Sequence, residues 1–199
     1  LKALMVSLGN LEGFNVTIPY KEQIIPLLDG LSPEAKEIKA VNTVKIINGK
    51  LIGYNTDAVG FKKSLAAVFK PHHERALILG SGGASKAIGY TLGHLGVDYK
   101  MISRRPVGDE LGYHDLNKYV VKHFPLIINT TPLGTFPEVD KYPDIPYEYL
   151  TPLNLLYDLV YNPEQSLFLK KGEERGAATL NGYRMLVLQA EESWEIWNK

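Results

Sequence analysis

Three glycines in the stretch ALILGSGGASKAIGY, residues 76–90, have the spacing of a phosphate-binding turn. Gly80, Gly82 and Gly83 follow an apolar run that predicts a strand, and they precede a predicted helix. Glycines let the backbone approach a pyrophosphate closely, and the free amides at a helix N-terminus attract its negative charge. Ala84 and Ser85 are small enough for close helix-sheet packing, although Ser85 stands where the dinucleotide fingerprint has Gly or Ala. The stretch predicts a dinucleotide site, and a plain tight turn between strand and helix is the alternative.

The end of the next predicted strand indicates which dinucleotide would bind. In NAD-binding units an acidic residue about 20 positions after the glycines holds the ribose 2′-hydroxyl. Here that strand ends in Ser103, Arg104 and Arg105, with no acidic residue. Guanidinium groups suit a 2′-phosphate because they form charge-assisted, often bidentate hydrogen bonds. The sequence therefore favours NADP over NAD, with two ordinary surface arginines as the alternative.

Lys21 lies just after a proline in the stretch GFNVTIPYK, residues 13–21. Apolar and polar residues alternate from Phe14 to Thr17, which predicts a strand, and Pro19 stops it because it has no amide proton. A short or kinked helix is predicted around residues 22–28. Lys21 would stand at a strand-to-helix junction, where sheet proteins tend to place their sites. The alternative is a solvated surface charge.

Composition narrows the functional class. The 199 residues allow one large domain or two small ones, and 22 basic residues balance 22 acidic ones. This balance gives no sign of a nucleic-acid or membrane-surface partner, and no apolar run approaches the roughly 20 residues that span a bilayer. The N-terminus lacks a signal-peptide pattern. The absence of cysteine fits a reducing cytoplasm, and the five histidines lack metal-site spacing, so we expect no metal.

Two blocks of predicted elements join near residues 57–61. The first has helices at 1–8, 22–28, from 32 onwards and 58–69, with strands at 14–17 and on both sides of an Asn48–Gly49 turn. The second has strands at 76–79, 97–103, 126–129, 155–161 and 177–179, alternating with helices at 84–96, 113–124, 163–176 and 183–197. Alternating strands and helices predict βαβ crossovers and a parallel sheet. The fold class predicted is α/β, with two α/β domains, one of them a Rossmann-type doubly wound domain.

Eight motifs in one order carry a family resemblance. They are NVTIPYK, AVNTV, NTD, GSGGAS, SRR, NTTPLG, DLVYNP and NGYRMLVLQAEESW. With them the chain resembles the shikimate dehydrogenase family over essentially its whole length. The resemblance implies an NADP-dependent oxidoreductase that reduces 3-dehydroshikimate to shikimate in cytoplasmic aromatic amino-acid and chorismate biosynthesis. It also implies a substrate domain over residues 1–57, completed by the helix at 181–199, and an NADP-binding domain over 58–180, with the active site between them.

The family's site residues carry over where the motifs match. The catalytic pair falls on Lys21 and Asp57. Substrate contacts fall on Thr17, Asn42, Asn55, Tyr161 and Gln189. Cofactor contacts fall on Gly80, Ser81, Gly82, Gly83, Ala84, Ser103, Arg104, Arg105, Thr130, Thr131, Pro132 and Gly182. Gln189 shares a predicted helical face with Met185, Leu186 and Ser193, so its amide needs a backbone or ligand partner.

One departure from the family leaves alternatives open. The family begins with a strand and helix ahead of anything present here, and its S-x-S serines, which bind the substrate carboxylate, have no counterpart. If these residues are the whole protein, we expect intact cofactor binding, weak or absent turnover, and edge-to-edge pairing of exposed strands. A monomer or a homodimer is expected. The alternatives are a quinate/shikimate dehydrogenase that uses NAD, which Arg104 and Arg105 argue against, and a catalytically impaired NADP-binding fragment.

Overall fold

A four-stranded sheet forms from the first block of the chain. The computed structural model describes residues 11–199, and the strands of this sheet are β1 (Gly13–Asn15), β2 (Gly30–Leu31), β3 (Thr43–Ile47) and β4 (Lys50–Tyr54). Their spatial order is β1-β3-β4-β2. The predicted hairpin is present: β3 pairs antiparallel with β4, and Asn48 and Gly49 turn between them with φ angles of 50° and 75°. Asparagine and glycine adopt this left-handed conformation most readily.

A six-stranded sheet follows, and all its strands are parallel. It contains β5 (Arg75–Leu79), β6 (Asp98–Ser103), β7 (Leu111–Gly112), β8 (Leu126–Asn129), β9 (Leu155–Asp158) and β10 (Ala178–Leu180). The order β10-β9-β8-β5-β6-β7 reverses direction between β5 and β8. Doubly wound sheets bind ligands at the carboxyl ends of the strands beside such a reversal. The Rossmann-type α/β fold predicted from the sequence is confirmed.

Six α-helices pack around these sheets within residues 11–199. They are α1 (Pro33–Ile38), α2 (Asp57–Leu65), α3 (Gly83–His94), α4 (Lys118–His123), α5 (Leu167–Glu173) and α6 (Tyr183–Asn198). The predicted N-cap of α1 is present, because the Ser32 side chain accepts a hydrogen bond from the Ala35 amide. Apolar side chains from β5, β8 and β9 fill the core on both faces of the larger sheet.

Several predicted element boundaries were wrong. The strand predicted to Thr17 ends at Asn15, although the Val16 amide still bonds to the Asn42 carbonyl. The helix predicted at 22–28 is a set of turns ending in a 3-10 helix at Ile25–Leu27, because Pro26 cannot donate within an α-helix. The helix predicted at 58–69 spans α2 instead. The helix predicted at 1–8 lies outside the described residues.

Side-chain capping and long-range pairing explain the other differences. The helix predicted at 113–124 is divided: a 3-10 helix covers Tyr113–Asp115, and Asn117 then caps the start of α4 by accepting two backbone hydrogen bonds. The strand predicted at 155–161 stops at Asp158, and the helix predicted at 163–176 begins only after its cap at Ser166. Neither β2 nor β7 was predicted, since each has two residues and exists only by pairing with a distant strand.

The last helix returns to the first block. α6 packs along α2 and reaches β3, and Gly60 permits the close approach: a Cβ there would lie 2.8 Å from the Met185 carbonyl oxygen. Near the end of α6, the Trp197 indole donates a hydrogen bond to the Val44 carbonyl at 3.0 Å. The ring fits there because Gly13 has no side chain: a Cβ at that position would lie 2.3 Å from the indole nitrogen. Residues from both ends of the described chain therefore build one sheet-and-helix unit.

Candidate active site

An ion pair joins Lys21 to Asp57 at 2.7 Å between Nζ and Oδ2. Lys21 lies within the turns that follow β1, and Asp57 is the first residue of α2, three positions after the end of β4. Their side chains are 14% and 8% exposed, so a small opening to solvent remains on both. A partly exposed cation held by a carboxylate can donate a proton to a ligand oxygen and stabilise negative charge there.

Asn42 fixes the second oxygen of Asp57. Its Nδ2 donates to Asp57 Oδ1 at 3.1 Å, while its Oδ1 accepts from the Thr56 amide at 2.7 Å. A backbone amide can only donate, so this contact sets which end of the Asn42 amide faces Asp57. Asp57 therefore receives hydrogen bonds on both carboxylate oxygens, which leaves it one preferred position.

Gln189 reaches the same cluster from α6. Its Oε1 lies 3.3 Å from Asn42 Nδ2 and 3.4 Å from Thr56 Oγ1, and its Nε2 donates to the Leu186 carbonyl at 2.9 Å. The structure thus brings Lys21, Asp57, Asn42 and Gln189 together, although 147 positions separate the last two.

The other three predicted substrate residues differ in their surroundings. Asn55 is buried, and its amide is used by the backbone: it donates to the Ala40 carbonyl and accepts from the Ala58 amide at the start of α2. Thr17 and Tyr161 are exposed, and within residues 11–199 neither side chain makes a hydrogen bond. Asn55 is thus a support for the helix that carries Asp57, while Thr17 and Tyr161 offer free hydroxyl groups.

The glycine turn after β5 has the shape that a phosphate cradle needs. Gly80 has a φ of 113°, and a Cβ there would lie 2.6 Å from Thr130 Oγ1. The backbone around Gly82 is open, because a Cβ added there would have no other atom within 4 Å. The neighbouring Ser81 is exposed. No side chain of the described residues caps the N-terminus of α3, so its first amides and its dipole face this opening.

Three further predicted cofactor residues lie at the end of β6, the neighbour of β5 on the side of the sheet away from β8: Ser103 is its last residue, and Arg104 and Arg105 follow it. Ser103 is buried, and its hydroxyl accepts from the Arg105 amide at 3.2 Å. Both arginine side chains are exposed and make no ion pair within the described part of the chain. Their guanidinium groups are free to bind an anion beside the glycine turn.

The NTTPLG loop lies on the other side of that turn. The Thr130 amide and hydroxyl both donate to the Leu79 carbonyl, and Asn129 Oδ1 accepts from the amide and hydroxyl of Thr131. Pro132, which follows, is exposed. These bonds hold the loop directly beside Gly80.

A buried carboxylate behind the loop was missed from the sequence. Asp158, the last residue of β9, accepts hydrogen bonds from Asn129 Nδ2 at 2.9 Å, the Val160 amide at 3.0 Å and the Ser166 hydroxyl at 2.5 Å. Burial raises its pKa to about 6. Asp158 ties the loop to the segment that leads to Tyr161, and the only sequence signal for it was a lone acidic residue ending an apolar strand.

Gly182, at the start of α6, packs against backbone. A Cβ at this position would overlap the Leu159 carbonyl, so the predicted cofactor contact has a packing explanation as well.

The start of α3 lies close to Lys21 and Ala40 of the first block. A Cβ added to Gly83, at the start of α3, would lie 3.1 Å from Lys21 Cβ and 3.6 Å from Ala40 Cβ. Beside it, Lys86 of α3 forms an ion pair with Glu22. Lys21 therefore stands against the first turn of α3.

Residues 11–199 show neither a metal-binding cluster nor a membrane-spanning helix. No group of three or more His, Cys, Asp or Glu side chains there could hold a metal ion. No helix in that range combines the length and the apolar character required to cross a membrane.

The matching family model and two sequence relatives point to one family. The family model described as the shikimate dehydrogenase substrate binding domain matches residues 2–44. Over 209 aligned residues the chain is 40% identical to the shikimate dehydrogenase (NADP(+)) of Desulforamulus reducens, with 94% of this chain and 72% of that protein covered. The chain is also 41% identical over 204 residues to the protein of the same name from Methanococcus vannielii, covering 93% and 72%.

Solved structures extend the similarity to the fold. The crystal structure of shikimate 5-dehydrogenase from Thermus thermophilus, in complex with NADP(H) and shikimate, matches with a TM-score of 0.86 at 30% identity. The match covers 99% of this chain and 77% of that one.

Proposed function

The chain belongs to the shikimate dehydrogenase family, and we propose that it catalyses the NADP-dependent interconversion of 3-dehydroshikimate and shikimate in aromatic amino-acid biosynthesis. The observation that carries the proposal is the Lys21–Asp57 ion pair standing against the glycine turn. A ketone reduction requires a proton donor beside the reacting oxygen and a dinucleotide next to the carbon, and this arrangement supports both.

Lys21 is the proposed proton donor during reduction. Its ammonium would donate to the carbonyl oxygen and stabilise the negative charge that develops there. In the reverse direction the hydroxyl proton would return to the lysine. Asp57 holds Nζ in position and exchanges protons with it, while Asn42 keeps the carboxylate from rotating.

The proposed substrate contacts are neutral side chains. Thr17, Asn42, Gln189 and Tyr161 offer hydroxyl and amide groups, which can select a pattern of ring hydroxyls at little desolvation cost. Asn55 contributes indirectly, because its side-chain oxygen accepts a hydrogen bond from the Ala58 amide and so fixes the start of α2. The proposed domain division follows: residues 1–57 with 181–199 bind the substrate, and residues 58–180 bind the cofactor.

The residues around the glycine turn fit NADP. Hydride transfer is chemistry that the nicotinamide supplies when the cofactor is bound. The pyrophosphate would be held by the amides of Ser81, Gly82, Gly83 and Ala84, next to the tight turn at Gly80. Arg104 and Arg105, with Ser103, would hold the 2′-phosphate, and Thr130, Thr131 and Pro132 would line the nicotinamide side. Gly182 keeps α6 close to this edge of the sheet.

We place the enzyme in the cytoplasm, because a chain without cysteine suits a reducing compartment. A monomer or a homodimer is proposed as its state.

Spectrophotometry of NADPH formation tests the function. The purified chain is incubated with shikimate and NADP⁺, and in parallel with quinate or with NAD⁺. Turnover that requires shikimate and NADP⁺ is the expected result. No turnover with any pair, or faster turnover with quinate and NAD⁺, would overturn the proposal.

A further inference from the structure

Ser193 lies one helical turn beyond Gln189 on α6, is 1% exposed, and joins three parts of the chain. Its hydroxyl oxygen is 2.8 Å from Thr43 Oγ1 on β3, 3.1 Å from Thr56 Oγ1 before α2, and 3.2 Å from Asn15 Nδ2 on β1. It also lies 2.9 Å from the carbonyl oxygen of Gln189. The Ser193 hydroxyl therefore connects α6 to β1 and to β3.

Asn15 fixes the direction of one of these hydrogen bonds. Its Nδ2 also donates to the Asn42 carbonyl, which fixes it as the amino end, so Ser193 accepts from Asn15. Ser193 has a single proton, and the Gln189 carbonyl oxygen at 2.9 Å and Thr43 Oγ1 at 2.8 Å both lie within its reach. Thr43 Oγ1 in turn donates to Asn42 Oδ1 at 3.2 Å, so the Ser193 hydroxyl is linked through Thr43 to the amide that holds Asp57.

The polarity of the Gln189 side chain follows in the same way. The Leu186 carbonyl can only accept, so the side-chain nitrogen of Gln189 faces it at 2.9 Å and the side-chain oxygen faces Asn42 and Thr56. One N–H of Gln189 goes to the Leu186 carbonyl. The other has no hydrogen-bond partner among residues 11–199, and it is left to meet a ligand oxygen.

We propose that Ser193 is a positioning residue for the substrate: it holds the turn of α6 that carries Gln189 against β1 and β3, so that Gln189 offers an N–H donor to a substrate oxygen. This inference rests on the proposed function. Other contacts keep α6 in place when the hydroxyl is removed, because Trp197 bonds to the Val44 carbonyl and Lys45 to the Ile196 carbonyl. Ser193→Ala should therefore fold, and its effect should be local.

Steady-state kinetics of Ser193→Ala test the inference. We expect the KM for shikimate to rise roughly three- to tenfold, the worth of one or two hydrogen bonds, with the KM for NADP⁺ and the kcat within about twofold of the parent. The matched control is Ser64→Ala, which removes a buried hydroxyl bonded at 2.6 Å to Tyr157, away from the cluster. An unchanged KM for shikimate, or an equal rise in the control, would overturn the inference.

A second measurement separates this inference from the proposed function. In ¹⁵N NMR spectra, the side-chain amide of Gln189 should give a resolved, immobile pair of signals in the parent and in Ser64→Ala, and a more averaged pair in Ser193→Ala. This readout does not require turnover. If the parent does not oxidise shikimate but the signals change as expected, only the function fails; if turnover is present and the signals do not change, only the positioning role fails.

Discussion

Removing the charge of Lys21 should separate its catalytic role from its structural one. Lys21→Met keeps the length of the side chain and leaves Asp57 with one partner, the Asn42 amide. We expect kcat to fall by roughly two to four decades, the usual contribution of a general acid-base group. NADPH affinity should stay within about threefold, because the only hydrogen bond of Lys21 Nζ within residues 11–199 goes to Asp57.

The loss of stability can be worked out from the burial of the pair. Breaking a buried ion pair costs about 3–5 kcal/mol, and we take the lower end, about 3 kcal/mol, because both side chains retain some exposure. For a chain of this size that corresponds to a fall in Tm of roughly 6–12 °C. The double variant Lys21→Met/Asp57→Asn leaves no unpaired charge and should regain most of the Tm, but none of the activity.

The assay combines NADPH formation, NADPH binding and thermal unfolding on the parent and the two variants. Lys63→Ala is the matched control, since it removes an ion-paired lysine that is more exposed, 3.1 Å from Glu192 on α6. Recovery of turnover in the double variant, or more than a tenth of the parent kcat in Lys21→Met, would refute the assignment of Lys21 as the proton donor.

Three other predictions address the cofactor, the helix contact and pH. Arg104→Ala should weaken NADPH binding by about tenfold or more while sparing NADH, and equal effects on both in fluorescence titrations would contradict the 2′-phosphate assignment. Gly60→Ala should displace α6, raise the KM for shikimate and lower the free energy of unfolding by about 1–3 kcal/mol in urea titrations; an unchanged KM would count against the close approach. Asp158 binds its proton more tightly in the folded chain, with a pKa of about 6, than in the unfolded chain, where it is near 3.8. Its contribution to stability should therefore decrease by about 3 kcal/mol as pH rises from 4 to above 6, and Asp158→Asn should remove that part of the pH dependence of Tm; an unaltered dependence would refute it.

Elements with strong local signals could be predicted from the sequence. The β3–β4 hairpin has an Asn-Gly turn, and the central strands β5, β8 and β9 of the larger sheet contain continuous apolar runs. The two-residue strands could not be predicted, because β2 and β7 are defined by a distant partner. Pro26 prevented a predicted α-helix because it has no amide proton to donate. Asn117 moved the start of α4 because its side chain caps that helix.

The site was predictable only as separate parts. The sequence placed Ser193 on the same helical face as Gln189, but nothing local indicated that Thr43 and Thr56 would lie against them. The partners of such a cluster are set by how α6 packs on the first sheet, which depends on the fold of everything between. The resemblance to the family supplied the pairing of Lys21 with Asp57, since a separation of 36 residues implies no contact by itself.

The return of α6 to the first sheet also sets the order in which the molecule can be completed during synthesis. Asn15 and Ser193 are 178 positions apart, so the hydroxyl cluster beside the ion pair closes only after the entire parallel sheet has left the ribosome. The strands of that sheet all precede α6, and the glycine turn can form with them. A nascent chain would thus gain the means to bind a dinucleotide before it gains the means to hold a substrate. Binding the dinucleotide early would stabilise the parallel sheet and its helices before α6 is in place.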